Sequence, residues 1–162
     1  MLERKTSRIV LINEHSEILL LKYIDRKPAD PARPTLLTYW VPPGGGLEDG
    51  ESYEDAANQE LEEEIGVSLT IGPWIWSRKR NLTLADGMRM VTERYFVART
   101  GGGRIIPLNT TNDNFVSHRW WTLDEMHETS ETLLPPVLST LIAPILLGHY
   151  PSVPIDIDIN VE

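Results

Sequence analysis

Residues 45–67 read GGLEDGESYEDAANQELEEEIGV, and the rest of the chain is organised around them. A glycine turn leads into an acidic amphipathic segment, and Gly66 closes it as a C-cap. The spacing predicts a helix over 51–65. Ala56, Ala57, Leu61 and Ile65 fall on one apolar side of it. Glu60, Glu63 and Glu64 lie three and four residues apart, so one patch presents three carboxylates. Like charges at that spacing repel, and glutamates near a helix C-terminus oppose its dipole. A bound divalent cation is the natural offset, since carboxylate oxygens suit hard cations such as Mg2+. An acidic run alone is more often a solvated face. The glycines shift that balance. Gly44, Gly45 and Gly46 follow Pro42 and Pro43, and a backbone without Cβ atoms admits close approach of a ligand.

The stretch resembles the Nudix box, which reads glycine, five residues, glutamate, seven residues, then R-E-U-x-E-E-x-G-U with U aliphatic. Gly45 is its first glycine and Glu51 its spaced glutamate. Glu60, Leu61, Glu63, Glu64, Gly66 and Val67 fill the later positions. One fixed position departs from the pattern, with Gln59 standing where the family has arginine. In the family that arginine pairs with the acidic cluster and positions a catalytic glutamate. Glutamine donates a hydrogen bond but carries no charge.

The resemblance implies an alpha/beta/alpha sandwich around a mixed sheet, in the α/β class. It implies metal-dependent hydrolysis of the diphosphate linkage in a nucleoside di- or triphosphate derivative, by water attack on phosphorus with Mg2+ or Mn2+. Glu60, Glu63 and Glu64 are then expected as metal ligands, directly or through water, with Glu60 as ligand or base. Glu51 supports or joins the cluster, and the Gly45 carbonyl takes a coordination position. A further acid from outside the box is expected at Glu93, with Asp113 as the alternative. The other reading is a non-catalytic nucleotide-binding or sensor module on the same fold, and Gln59 is its main support.

Charge narrows the partners. Fifteen basic against 24 acidic residues give a net charge of -9. That disfavours long nucleic acid, where neutralising the backbone dominates, but not a small nucleotide carried with metal. The sequence has no cysteine, which excludes disulfides and thiol chemistry and fits a cytoplasmic setting. No secretory signal is read at the N-terminus. The apolar stretch 133–155 is broken by prolines and predicts a buried helix rather than a membrane span.

Phosphate calls for cations beyond a metal. Arg78, Lys79, Arg80, Arg89 and Arg94 lie on two expected strands, with Arg78 and Arg80 sharing one side. Arg26 and Arg33 sit in a proline-rich loop over 25–35. Trp40, Trp74, Trp76, Trp120 and Trp121 offer a stacking surface or, more simply, core. The four histidines lack metal-binding spacing.

Residues 1–162 read as one domain. Residues 1–7 read as a polar start. Strands are expected at 8–12, 17–23, 36–41, 67–71, 74–80, 89–99, 104–106 and 115–123. Thr122 is expected to cap a short helix at 123–127. A last helix should run from Pro135 to Leu147 and end at Gly148. The alternating residues 153–162 read as an edge strand, a tail, or an arm supporting a homodimer.

Overall fold

The computed structural model describes residues 2–65, 69–101 and 113–157, with backbone alone at 64 and 65. Eight strands are β1 (Leu2–Ile12), β2 (Ile18–Ile24), β3 (Thr38–Val41), β4 (Gly44–Gly46), β5 (Trp74–Leu84), β6 (Gly87–Arg99), β7 (Phe115–Trp121) and β8 (Ile155–Asp156). Three helices are α1 (Tyr53–Glu60), α2 (Leu123–Glu128) and α3 (Leu138–Leu146). The strands form one mixed sheet in the order β3-β2-β1-β6-β5-β8, with β4 also on β1 and β7 also on β2.

The layering follows from alternation in the central strand. Ile9 and Leu11 point to one face and Val10 and Ile12 to the other, as the period of two requires. The first pair packs under α1 through Tyr53, Ala57 and Leu61. The second pair packs under Met126 of α2 and Leu138, Ile142 and Ile145 of α3. A strand covered on both faces must be apolar on both, so RIVLI shows no polar alternation. The result is the α/β/α sandwich that the resemblance implied.

The polar start is a strand. β1 begins at Leu2 because Leu2–Ile12 pairs in parallel with β6, from Leu2 opposite Arg89 to Ile12 opposite Arg99. Backbone pairing outweighs the polar side chains, which are exposed, line a cavity or, at Ser7, bond to the helix above. The helix of the acidic stretch also differs from expectation. It starts at Tyr53, because Ser52 caps it in a reciprocal bond with Asp55. Its last turn, Leu61–Ile65, is π-helical. Ser7 Oγ, fully buried, donates to Tyr53 O at 2.6 Å and fixes the helix start against β1.

Residues 69–71 are described and form no strand, while 67, 68 and the expected strand at 104–106 lie outside the described residues. Thr122 caps α2 with Glu125 three residues on, as expected. α3 begins at Leu138, three residues after Pro135. Pro144 sits inside α3, and Gly148 follows at φ 81°. Of the alternating tail, Ile155 and Asp156 add a short parallel strand to this chain's own sheet, against Trp76 and Ser77. Among the described residues, no helix is long and apolar enough to cross a membrane.

Candidate functional site

The three glycines of β4 form a partition with side chains pressed against both faces. A Cβ built on Gly45 would lie 2.0 Å from Glu60 Oε1 and 2.6 Å from Glu60 Cδ. Cβ atoms on Gly44 and Gly46 would instead meet Arg8 Cδ at 2.7 Å and Arg4 Nη2 at 2.8 Å. Alternation sends successive Cβ directions to opposite faces. One face of β4 therefore carries a carboxylate from α1, and the other carries two arginines from β1. Only glycine leaves room for both.

On the α1 side, Gln59 Nε2 donates to Glu63 Oε1 at 2.8 Å. Gln59 thus reaches Glu63, one helical turn along, through a neutral donor. Glu51 precedes the helix, and its Oε1 accepts from Glu48 N at 2.6 Å, tightening the loop that enters α1. The Glu64 side chain lies outside the described residues. Among the described residues, no three carboxylates or imidazoles gather closely enough to hold a metal ion. The Glu60 carboxylate against Gly45 still fits a hard cation in its chemistry, with oxygen donors and a bare backbone beside them.

Glu93 is on the other side of the sheet from α1, and it is fully buried. Its Oε2 accepts from Arg8 Nε at 2.9 Å, and Arg80 Nε lies 3.4 Å from its Oε1. Burial alone would push this carboxyl up. The guanidiniums of Arg8, Arg80 and Arg78 outweigh burial and hold it below the usual carboxylate range. Burial likewise opposes the Arg8 charge, and Glu93 more than restores it. Arg8 Nη1 also donates to Pro42 O at 3.2 Å, so one side chain joins Glu93 to the loop entering β4.

These groups line a cavity of about 790 Å³ that also includes Gly44, Gly45 and Gly46. Its far wall is aromatic. Tyr23 and Tyr39 stack with ring centroids 6.0 Å apart. Tyr39 donates its hydroxyl to Asp25 Oδ2 at 2.9 Å, and Asn114 Nδ2 donates to Asp25 Oδ1 at 3.2 Å. Burial, then the Asp25 charge, pushes the Tyr39 hydroxyl up, so it remains a donor. The proline-rich loop runs along the rim with Arg26 and Lys27, and Thr83 N donates to Ala29 O at 2.7 Å to hold it there.

The structure thus brings together Gly45 with Glu60, Gln59 with Glu63, and Glu93 with Arg8 and Arg80. It leaves Asp113 in an exposed turn off the cavity lining. Arg78 and Arg80 share the Glu93 side of β5, and Lys79 is exposed on the other. Arg94 faces the opposite way, between the rings of Tyr53 and Trp74 at 4.1 and 4.0 Å. Arg89 pairs with Asp86 in its hairpin. No tryptophan lines the cavity, and Trp40, Trp76 and Trp121 are core. Arg4, Arg8, Tyr23, Tyr39 and Asp25 were not singled out from sequence. The available signal was Arg4 and Arg8, an even number of residues apart and so on one face of β1.

A family model described as the NUDIX domain matches residues 2–141. An RNA pyrophosphohydrolase from Rickettsia conorii is 28% identical over 136 residues, covering 73% of this chain and 74% of that protein. The nucleoside triphosphatase NudI of Escherichia coli is 34% identical over 92 residues, covering 54% and 61%. Among solved structures, the MutT protein of Methanosarcina mazei Go1 has a TM-score of 0.64 at 17% identity, over 86% of this chain and 90% of that one. That last likeness bears on the fold.

Proposed function

Because the chain belongs to the Nudix family, we propose that it is a metal-dependent pyrophosphohydrolase acting on a nucleoside di- or triphosphate derivative. The observation that carries this reading is the Glu60 carboxylate seated on Gly45 at the edge of a large, arginine-lined cavity. Glu60, Glu63 and Glu64 would hold Mg2+ or Mn2+, with the Gly45 carbonyl beside them. When bound, such an ion neutralises phosphate charge and lowers the pKa of an attacking water. The chain's own contribution is placement. Ser7 and the packed alanines fix α1 against β1, and Glu51 tightens the turn that leads into it.

The relatives named above act, by their names, on an RNA pyrophosphate and a nucleoside triphosphate. Both are phosphoanhydrides on a nucleoside, and the cavity has stacked tyrosines and cations for such a ligand. The test is product release from nucleoside di- and triphosphate derivatives and a 5′-triphosphorylated oligoribonucleotide, with Mg2+ or Mn2+. Metal-dependent turnover that disappears in Glu63→Gln is the expected result. Nucleotide binding without turnover on any substrate would overturn it in favour of the sensor reading, which Gln59 supports.

Gln59 sets a second expectation. Its 2.8 Å bond to Glu63 is neutral on the donor side, and an arginine there would make it charge-assisted. Supporting bonds around metal ligands are typically worth 10–100-fold in affinity or activity. Gln59→Arg is therefore expected to raise kcat, or to lower the Mg2+ concentration for half-activation, by about tenfold. Titrating Mg2+ on both proteins checks this, and an unchanged curve would detach Gln59 from the metal site.

A further inference from the structure

We propose that the cavity contains an anion subsite made by Arg4, Arg8 and Arg80, shaped by Glu93, which takes a further phosphate group of the substrate. This rests on the hydrolase reading for its biological use. The chain carries a net charge of -9, yet five basic residues line this cavity against three acidic ones. The excess is concentrated on one face of the sheet. Arg4 and Arg80 stand opposite Val91 from its two sides, on the strands that flank β6. Arg8 shares the Arg4 face of β1.

Glu93 answers only part of this charge, and the way it does so matters. Arg8 and Arg80 both approach it through Nε. That leaves their terminal nitrogens for other work. Arg8 uses Nη1 on Pro42 O, and among the described residues Arg8 Nη2 and both Arg80 Nη atoms donate no hydrogen bond. Arg4 has no ion-pair partner among the described residues, and its guanidinium lies over Gly46. A fork of guanidinium nitrogens held at its base is the arrangement that recognises a phosphate in two-pronged fashion. Glu93 on this account is a positioning residue. It accepts from the Nε edge of Arg8 at 2.9 Å and stands in ion-pair range of Arg80 Nε at 3.4 Å.

The partition of β4 connects this subsite to the carboxylates. Gly45 meets Glu60 on one face while its neighbours Gly44 and Gly46 meet Arg8 and Arg4 on the other. A polyphosphate or phosphorylated ligand can place one phosphate on the carboxylate side through metal and another on the arginine side without metal.

The experiment is calorimetric titration of inorganic pyrophosphate into the full-length protein in excess EDTA. Binding is expected without metal. It should weaken at least about tenfold in Arg4→Met, whose side chain is exposed and whose loss leaves the fold alone, and similarly in Arg80→Lys. Arg33→Met, on the proline-rich loop at the rim but off the cavity lining, should match wild type. No metal-free binding, or equal binding by all four proteins, would overturn the proposal. The two readings fail separately. Metal-free binding with no turnover on any substrate would remove the hydrolase and keep the subsite, and turnover without such binding would do the reverse.

Discussion

A Gly45→Ala variant is expected to fold with a melting temperature close to wild type and to lose about 100-fold in kcat. The added methyl would sit 2.0 Å from Glu60 Oε1. No real Cβ tolerates that contact, so something moves. The obstructing atom is the far end of a flexible side chain, and the carboxylate swings aside while the backbone stays. Displacing a reacting group by about 1 Å can cost 100-fold even when nothing else changes. Gly44 makes the contrast plain, because its Cβ would strike the Ser7 main-chain oxygen at 2.2 Å, and a backbone atom has nowhere to go. Steady-state kinetics beside a thermal melt of Gly45→Ala separates the two quantities. Full activity would show that the Glu60 position is not used in catalysis. A collapsed melt would show that Gly45 is structural.

How far this was readable from sequence differs by scale. The box spacing was readable because its glycines and glutamates serve local geometry, which a linear pattern records. So was the Thr122 cap, set by Glu125 three positions on. The start of β1 was not. Its residues 2–7 look polar, and they become a strand by pairing with β6, more than 80 residues away, along their whole length and with β4 at Thr6 and Ser7. The π-helical turn after Glu60 also leaves no mark in composition. At the site, strand alternation puts Glu93 on the face of Val91 and Tyr95 but does not say what stands over it. Arg8 is 85 positions away in sequence, so the pair forms only when β1 docks in parallel on β6. The tryptophans are core, the simpler of the two uses read for them. Their size suits stacking on a base and suits core equally, and here the sheet faces needed filling.

The second large effect concerns Glu93 and stability. Glu93→Gln is expected to lower the melting temperature by about 6–20 °C at pH 7. Removing one partner of a buried ion pair costs about 3–5 kcal/mol, because the remaining charges stay desolvated without an answer. For a chain of this size each kcal/mol is worth about 2–4 °C. Glutamine keeps the shape and one acceptor oxygen, so packing is not the cause. The pH dependence identifies the charge. The folded carboxyl titrates below its ordinary value, held there by Arg8, Arg80 and Arg78 against the burial that would raise it. A lowered folded pKa means that the stabilisation is complete above the unfolded value, about 4.3 for glutamate. It drains away as pH falls from there through the folded value, where the native carboxylate takes up its proton. The gap between wild type and Glu93→Gln should therefore be constant from pH 8 to about 5 and narrow below about pH 4.3. Melts across that range measure it. A gap that opens or closes around neutral pH would mean that Glu93 titrates there, as a general base poised for catalysis would, and the arginine-holding role would fall. A constant gap instead leaves Glu93 charged throughout the working range, beside the Arg8 and Arg80 guanidiniums that line the cavity.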